Sequence, residues 1–205
     1  MARKPNPLTR TNLLDAALHV IRTKGYTATT VDDICARASL SKGAFFHHFS
    51  SKEDLAVAAA NYWSETTGAL FADAAYHAPE DPLDRVLAYV ELRKQLIEGE
   101  LPDFTCLVGT MTQEVYETNS VIRDACWASI SSHADTLVPD IAAAMERYAV
   151  AGDFTAESLA LHTQAVIQGA FIIAKASGDP QRAIESIDHL KRYISLLFKH
   201  PATAH

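Results

Sequence analysis

Apolar residues recur along this chain at the spacing of one helical face, and no stretch alternates long enough to suggest a strand. Leu13, Leu14, Ala17, Leu18 and Ile21 predict a first helix, with Thr9 or Thr11 as its N-cap and Gly25 as its stop. Thr30 precedes Val31, Asp32 and Asp33, the start expected of a capping box in which the Thr30 hydroxyl accepts from the Asp33 amide. The second helix is short, about Val31 to Ala38, with Ile34, Cys35 and Ala38 inward. Ser39 and Leu40 make a tight turn, and Ser41 caps a third short helix from Lys42 to His48. Ser50 or Ser51 then opens a fourth helix at Lys52.

The helices lengthen beyond that point. After the Pro79–Pro82 break, Leu83, Val86, Leu87, Val90 and Ile97 form an amphipathic stripe. Helices over Cys106 to Tyr116 and Val121 to Leu137 follow. Pro139 either kinks the latter or sits in the first turn of a new helix ending near Gly152. Thr155 caps a helix over Leu159–Ala176, which Gly178-Asp179-Pro180 breaks. Ile184, Ile187, Leu190, Ile194, Leu197 and Phe198 line one side of the last. The expected fold is all-α, a three-helix head over 1–52 followed by a larger helical domain over 53–205.

Composition fits a globular chain, at 48% hydrophobic and 21% charged residues. The net charge of −7 is unpromising for a partner of nucleic acid, but it is unevenly placed. Residues 1–52 carry eight Lys/Arg against three Asp/Glu, a balance of +5. Residues 53–205 carry ten against 22, a balance of −12. A basic head on an acidic body suits a protein that brings one end to phosphate. His162, Gln164, Gln168 and Lys175 interrupt the most apolar segment, which therefore reads as a buried helix rather than a membrane span. Met1 to Leu8 is basic and broken by proline, unlike a signal peptide. Cys35, Cys106 and Cys126 are too few for a disulfide framework, so a cytoplasmic location is expected.

Two short helices joined by a tight turn behind a longer one make a helix-turn-helix. Ser41, Gly43 and Ala44 are small enough to let the third helix approach a major groove. Lys42 adds a positive donor, and Phe45 and Phe49 lock the helix onto the first two. Thr30-Val-Asp-Asp-Ile34, Ala38-Ser-Leu-Ser-Lys-Gly-Ala-Phe-Phe-His-His-Phe49 and Ser51-Lys-Glu-Asp-Leu55 together resemble the N-terminal signature of the tetracycline-repressor (TetR) family over residues 10 to 55. The resemblance implies a transcriptional regulator: a repressor that binds a palindromic operator in double-stranded DNA as a homodimer and is released by a small-molecule or electrophile effector.

Position by position, the resemblance places Thr29 and Thr30 at phosphate. Ser41, Lys42, Gly43 and Ala44 fall where base edges and backbone are met, and Lys52 at phosphate from the start of the fourth helix. Phe46 stands where the family usually has a tyrosine that reaches phosphate, a departure that removes a hydrogen-bond donor. His47 and His48 follow, the second matching a common family histidine. Adjacent on a helix, they point about 100° apart and do not form a metal pair. The family's effector pocket lies in the C-terminal domain, where Tyr89, Phe104, Cys106, Met111, Trp127 and Gln168 are the candidate lining residues. Cys106, expected in the first turn of its helix, is the candidate for redox or electrophile sensing. The last two helices are long and apolar enough to pair with a second copy. No glycine-rich phosphate loop, nucleophile elbow or His-Glu-x-x-His stands in the sequence, so no catalytic residue, metal or cofactor is expected.

Overall fold

The computed structural model describes residues 7–150 and 152–199, and among these the chain is helical with no strand. It divides into two compact units, residues 1–69 with 105–129 and residues 70–104 with 130–205. The expected boundary at residue 52 is not among the points at which contacts divide the chain.

The first unit holds α1 (Pro7–Lys24), α2 (Val31–Ala38), α3 (Lys42–His48), most of α4 (Lys52–Ala72), α7 (Leu107–Val115) and the start of α8 (Ser120–Asp135). Among the described residues α1 runs from Pro7, so helix already extends ahead of both threonines expected to cap it. Thr9 and Thr11 therefore stand inside the helix. Thr30 and Asp33 form the reciprocal capping box: Thr30 Oγ1 accepts from the Asp33 amide at 3.2 Å, and Asp33 Oδ2 accepts from the Thr30 amide at 2.8 Å. Ser39 takes the left-handed conformation, φ 55°, to turn the chain into α3. Ser41 Oγ caps α3 by accepting from the Ala44 amide. Leu13, Leu14, Ala17, Ile34, Phe45 and Leu55 are wholly buried and make the core of the helix-turn-helix.

The second unit contains α5 (Pro82–Gln95), the single turn α6 (Leu101–Phe104), α9 (Val138–Arg147), α10 (Ala156–Ser177) and α11 (Gln181–Leu197). Pro139 lies in the opening turn of α9, the second of its two expected placements, and α9 ends at Arg147, short of Gly152. Cys106 is the N-cap of α7 rather than a member of its first turn. Helix α10 has the length and hydropathy of a membrane span, but 44% of that stretch is buried in the fold, where α10 packs on α9 and α11. Leu83, Val86 and Val90 of α5, Ile141 of α9, Ile167 of α10 and Ile187, Leu190 and Ile194 of α11 form this unit's core.

Candidate functional site

The third helix is presented by packing on one side only. Phe45 and Phe49 are buried against the first two helices, while Ser41, Lys42, Gly43, Phe46 and His47 remain exposed. Gly43 has no internal reason to lack a side chain. Its backbone is ordinary, and a Cβ there would meet nothing closer than Ser41 Oγ at 3.7 Å. The bare backbone therefore leaves room for a partner outside the protein. Lys42 pairs with Asp32 at 2.8 Å, both side chains being exposed, and that hydrogen bond raises the lysine pKa. Burial, then His47 and Arg10, lower the pKa of His48, which favours the neutral ring beside the helix. Phe46 stacks edge-on to Phe45 with centroids 5.1 Å apart and exposes its outer face.

Thr29 and Lys52 both bond to the backbone around the α1–α2 loop. Thr29 is buried, and its hydroxyl donates to the Gly25 carbonyl at 2.6 Å, which closes the α1–α2 loop from inside. Thr30 is exposed, but its hydroxyl is held by Asp33. Lys52 Nζ donates to the carbonyl oxygens of Tyr26 at 3.1 Å, Thr29 at 2.9 Å and Thr27 at 3.4 Å, and it lies 4.3 Å from the Tyr26 ring centroid. Partial burial lowers its pKa, while Glu114 acts in the opposite sense.

Glu114 of α7 completes the loop. Its Oε1 accepts from the Tyr26 amide at 3.0 Å and its Oε2 from the Thr27 amide at 2.7 Å. The loop is thus clamped by a carboxylate on its N–H groups and an ammonium on its carbonyls. Gly25 is required for this: its φ is +87°, and a Cβ would press against Glu114 Oε1. Glu114 was not legible as a functional residue, since nothing in local sequence links it to a loop 87 residues away.

The candidate effector residues divide between the units. Tyr89, Phe104 and Gln168 belong to the second; Cys106, Met111 and Trp127 belong to the first. Tyr89 and Met111 are fully buried, and Trp127 is exposed. The Cys106 side chain is buried, and its Sγ accepts from the Gly109 amide at 3.4 Å. Burial pushes the thiol of nearby Cys126 up to about 11.

Sequence reasoning missed the polar neighbours of Tyr89, all within the second unit. Its hydroxyl accepts from Gln164 Nε2 at 2.7 Å and from Arg93 Nη1 at 3.2 Å, which leaves its own hydrogen for His133 Nε2 at 2.9 Å. Burial, with Arg93 adding repulsion, lowers the His133 pKa to about 4, so the imidazole is neutral. Arg93 stands one helical turn beyond Tyr89 on α5, the single local signal that could have flagged it.

Among the described residues, an all-helical fold with an exposed, glycine-bearing third helix locked by two phenylalanines defines a helix-turn-helix head of the kind that DNA-binding regulators carry. Residues 13–59 match the model of the tetR family of bacterial regulatory proteins, and residues 82–190 match the tetracyclin repressor-like C-terminal domain. The chain belongs to the TetR family. It is 27% identical over 123 residues to the HTH-type transcriptional repressor DhaR of Mycobacterium sp. (strain GP1), covering 60% of this chain and 59% of that protein. The chain spans about half the length of the curated relatives it matches. The fold is shared with a TetR-family regulator from Agrobacterium tumefaciens, at TM-score 0.80 and 21% identity over 92% of this chain and 98% of that one. A regulatory protein TetR from Rhodobacter sphaeroides is similar, at TM-score 0.80 and 22% identity over 91% and 98%.

Proposed function

We propose that the protein is a cytoplasmic repressor that reads a near-palindromic operator as a homodimer and is released by a small molecule bound in its C-terminal domain. The observation that carries the reading is the exposed N-terminal turn of α3, where Gly43 is bare for no internal reason and Lys42 stands beside it. Ser41, Lys42, Gly43, Ala44, Phe46, His47 and His48 form the reading surface, with Thr30 at its edge. Phe46 offers an apolar face to a thymine methyl or a sugar in place of a phosphate bond. Family members are regulators rather than enzymes, and none of these residues is assigned chemistry.

Thr29 and Lys52 support this surface from within: one closes the α1–α2 loop and the other clamps it. For dimerisation, the apolar stripe of α11 is unavailable, because Ile187, Leu190 and Ile194 are buried in their own unit. A second apolar set, Leu161, Ile172 and Ile173 of α10 with Tyr193 and Leu196 of α11, is exposed and serves as the pairing face. A two-fold dimer sets half-sites about one helical turn, or a multiple, apart. An effector that binds the two arrangements of the heads unequally shifts the population away from DNA.

Selection of bound fragments from random DNA tests the reading. We expect a palindromic site, relaxed in specificity by Lys42→Ala. Lys52→Ala is expected to lower thermal stability together with affinity for every sequence. A lysine that only touched phosphate would change affinity and leave the melting temperature alone. No enrichment over non-specific DNA at moderate salt would remove the reading.

A further inference from the structure

We propose that Arg93 is the anchor of an effector subsite in the C-terminal domain and that the ligand it takes is an organic monocarboxylate with an apolar body. The inference rests on the reading of this domain as effector-binding and names the chemistry of that effector. Helix α5 and its neighbours supply an internal control. Arg85 pairs with Asp140 at 2.7 Å, Lys94 with Glu91 and Asp188 at 2.9 Å each, and Lys191 with Glu91 at 2.7 Å. Every one of these partly buried cations has a carboxylate. Arg93, partly buried on the same helix, has none among the described residues.

Its bonds go to neutral groups only. Nη1 donates to the Tyr89 hydroxyl at 3.2 Å and to His133 Nε2 at 3.3 Å. The guanidinium carbon lies 5.4 Å from the Phe71 ring centroid, 5.9 Å from that of Phe171 and 6.0 Å from that of Tyr89. Aromatic faces stabilise a cation but leave its charge uncompensated. His133, with Nε2 accepting from Tyr89, adds no positive charge and no negative one. The site therefore holds a single net positive charge, partly withdrawn from water among aromatic rings, where an opposite charge is bound more strongly than in bulk water.

Geometry narrows the class. With Nη1 committed to Tyr89 and His133, the Nε and Nη2 donors have no acceptor among the described residues. These two form the parallel fork that matches the two oxygens of a carboxylate. One cation suits one negative charge, so a monoanion fits better than a phosphate, which needs more. Phe71 and Phe171 at the guanidinium, with Phe104 a further 5.9 Å from Phe171, give the apolar body its surface.

The test is calorimetry on the whole 205-residue chain with benzoate and hexanoate, against benzamide, hexanamide and inorganic phosphate. We expect each carboxylate to bind at least about tenfold more tightly than its amide and more tightly than phosphate. Arg93→Met should abolish binding, and Arg93→Lys, which keeps the charge but not the fork, should weaken it several-fold. Equal binding of amides, preference for phosphate, no binding of either carboxylate at millimolar concentration, or an Arg93→Met protein with undiminished affinity each overturns the proposal. The wild-type comparison decides even where Arg93→Met does not fold. Operator binding, measured separately, distinguishes the two readings. Carboxylates that bind through Arg93 without releasing operator support the subsite and refute the effector role. Release by a compound indifferent to Arg93→Met keeps the effector role and refutes the carboxylate.

Discussion

The caps of the reading head join residues three apart: Thr30 with Asp33, Ser41 with Ala44, Ser51 with Asp54. The polar group around Tyr89 joins residues 44 and 75 apart. Local caps fix where a helix begins, and a chain can present the same caps with many different interiors. The long-range network fixes which helices meet, and with Arg93 it places one unneutralised charge where only that packing could hold it. Shape is therefore written into the head and selectivity into the body.

Four measurements sharpen or break this contrast. The largest expected effect is that of Phe45→Ala, which empties the fully buried anchor of α3 and should cost about 3–5 kcal/mol. Chemical denaturation reads the cost, and operator binding should be lost with it. If binding survived, α3 would be held by its caps rather than by its core.

Acid separates the two regions next. His133 titrates near 4 in the folded protein and near 6.5 when unfolded, so its contribution is whole above pH 6.5 and is lost as pH falls toward 4. Over that window the loss should be on the order of 2–3 kcal/mol, and His133→Gln should flatten the profile. The Asp33 carboxyl in the head is held well below the usual carboxylate range, first by Lys24 and then by Thr30, so it stays ionised throughout. A profile unchanged by His133→Gln would show that the imidazole is not held neutral.

Gly25→Ala should cost about 1–2 kcal/mol for the left-handed backbone, and more for the contact with Glu114. In a Glu114→Ala background the steric part disappears, so the double-mutant cycle should show coupling of about 0.5 kcal/mol or more. Full additivity would mean that the carboxylate does not govern the loop. Thr30→Ala, with the smallest effect, should lower stability by about 1 kcal/mol through loss of the capping box, read as a shift in melting temperature.

Much of the head was legible. Thr30 and Ser41 mark helix starts by side-chain caps that act over three residues, Gly25 marks an end by its left-handed backbone, and the structure bears out the bounds of α2 and α3. The opening of α1 was misread because a threonine near a helix start need not be its cap: Thr9 and Thr11 both lie inside the helix. The carbonyl contacts of Lys52 were not legible, since its ammonium reaches oxygens 23 to 26 residues earlier, and only packing decides that. The body was legible as helices and stripes. Tyr89 could be chosen as a large side chain on the inner face, but Arg93, His133 and Gln164 could not, because no periodicity tells which polar residue of one helix meets which of another. Spacing also did not tell that Trp127, an aromatic on a helix, is exposed.

The carboxylate of Glu114 on the α1–α2 loop bears on how far this head can be moved as a module. A fragment ending at residue 52 or 69 contains all three helices of the reading motif, yet it leaves behind the acceptor for two of its loop amides. Chimeras that join this head to a foreign sensor domain would need a carboxylate supplied at the same place. The same holds for Gly25, whose bare backbone is matched to a carboxylate that a head-swap would leave behind.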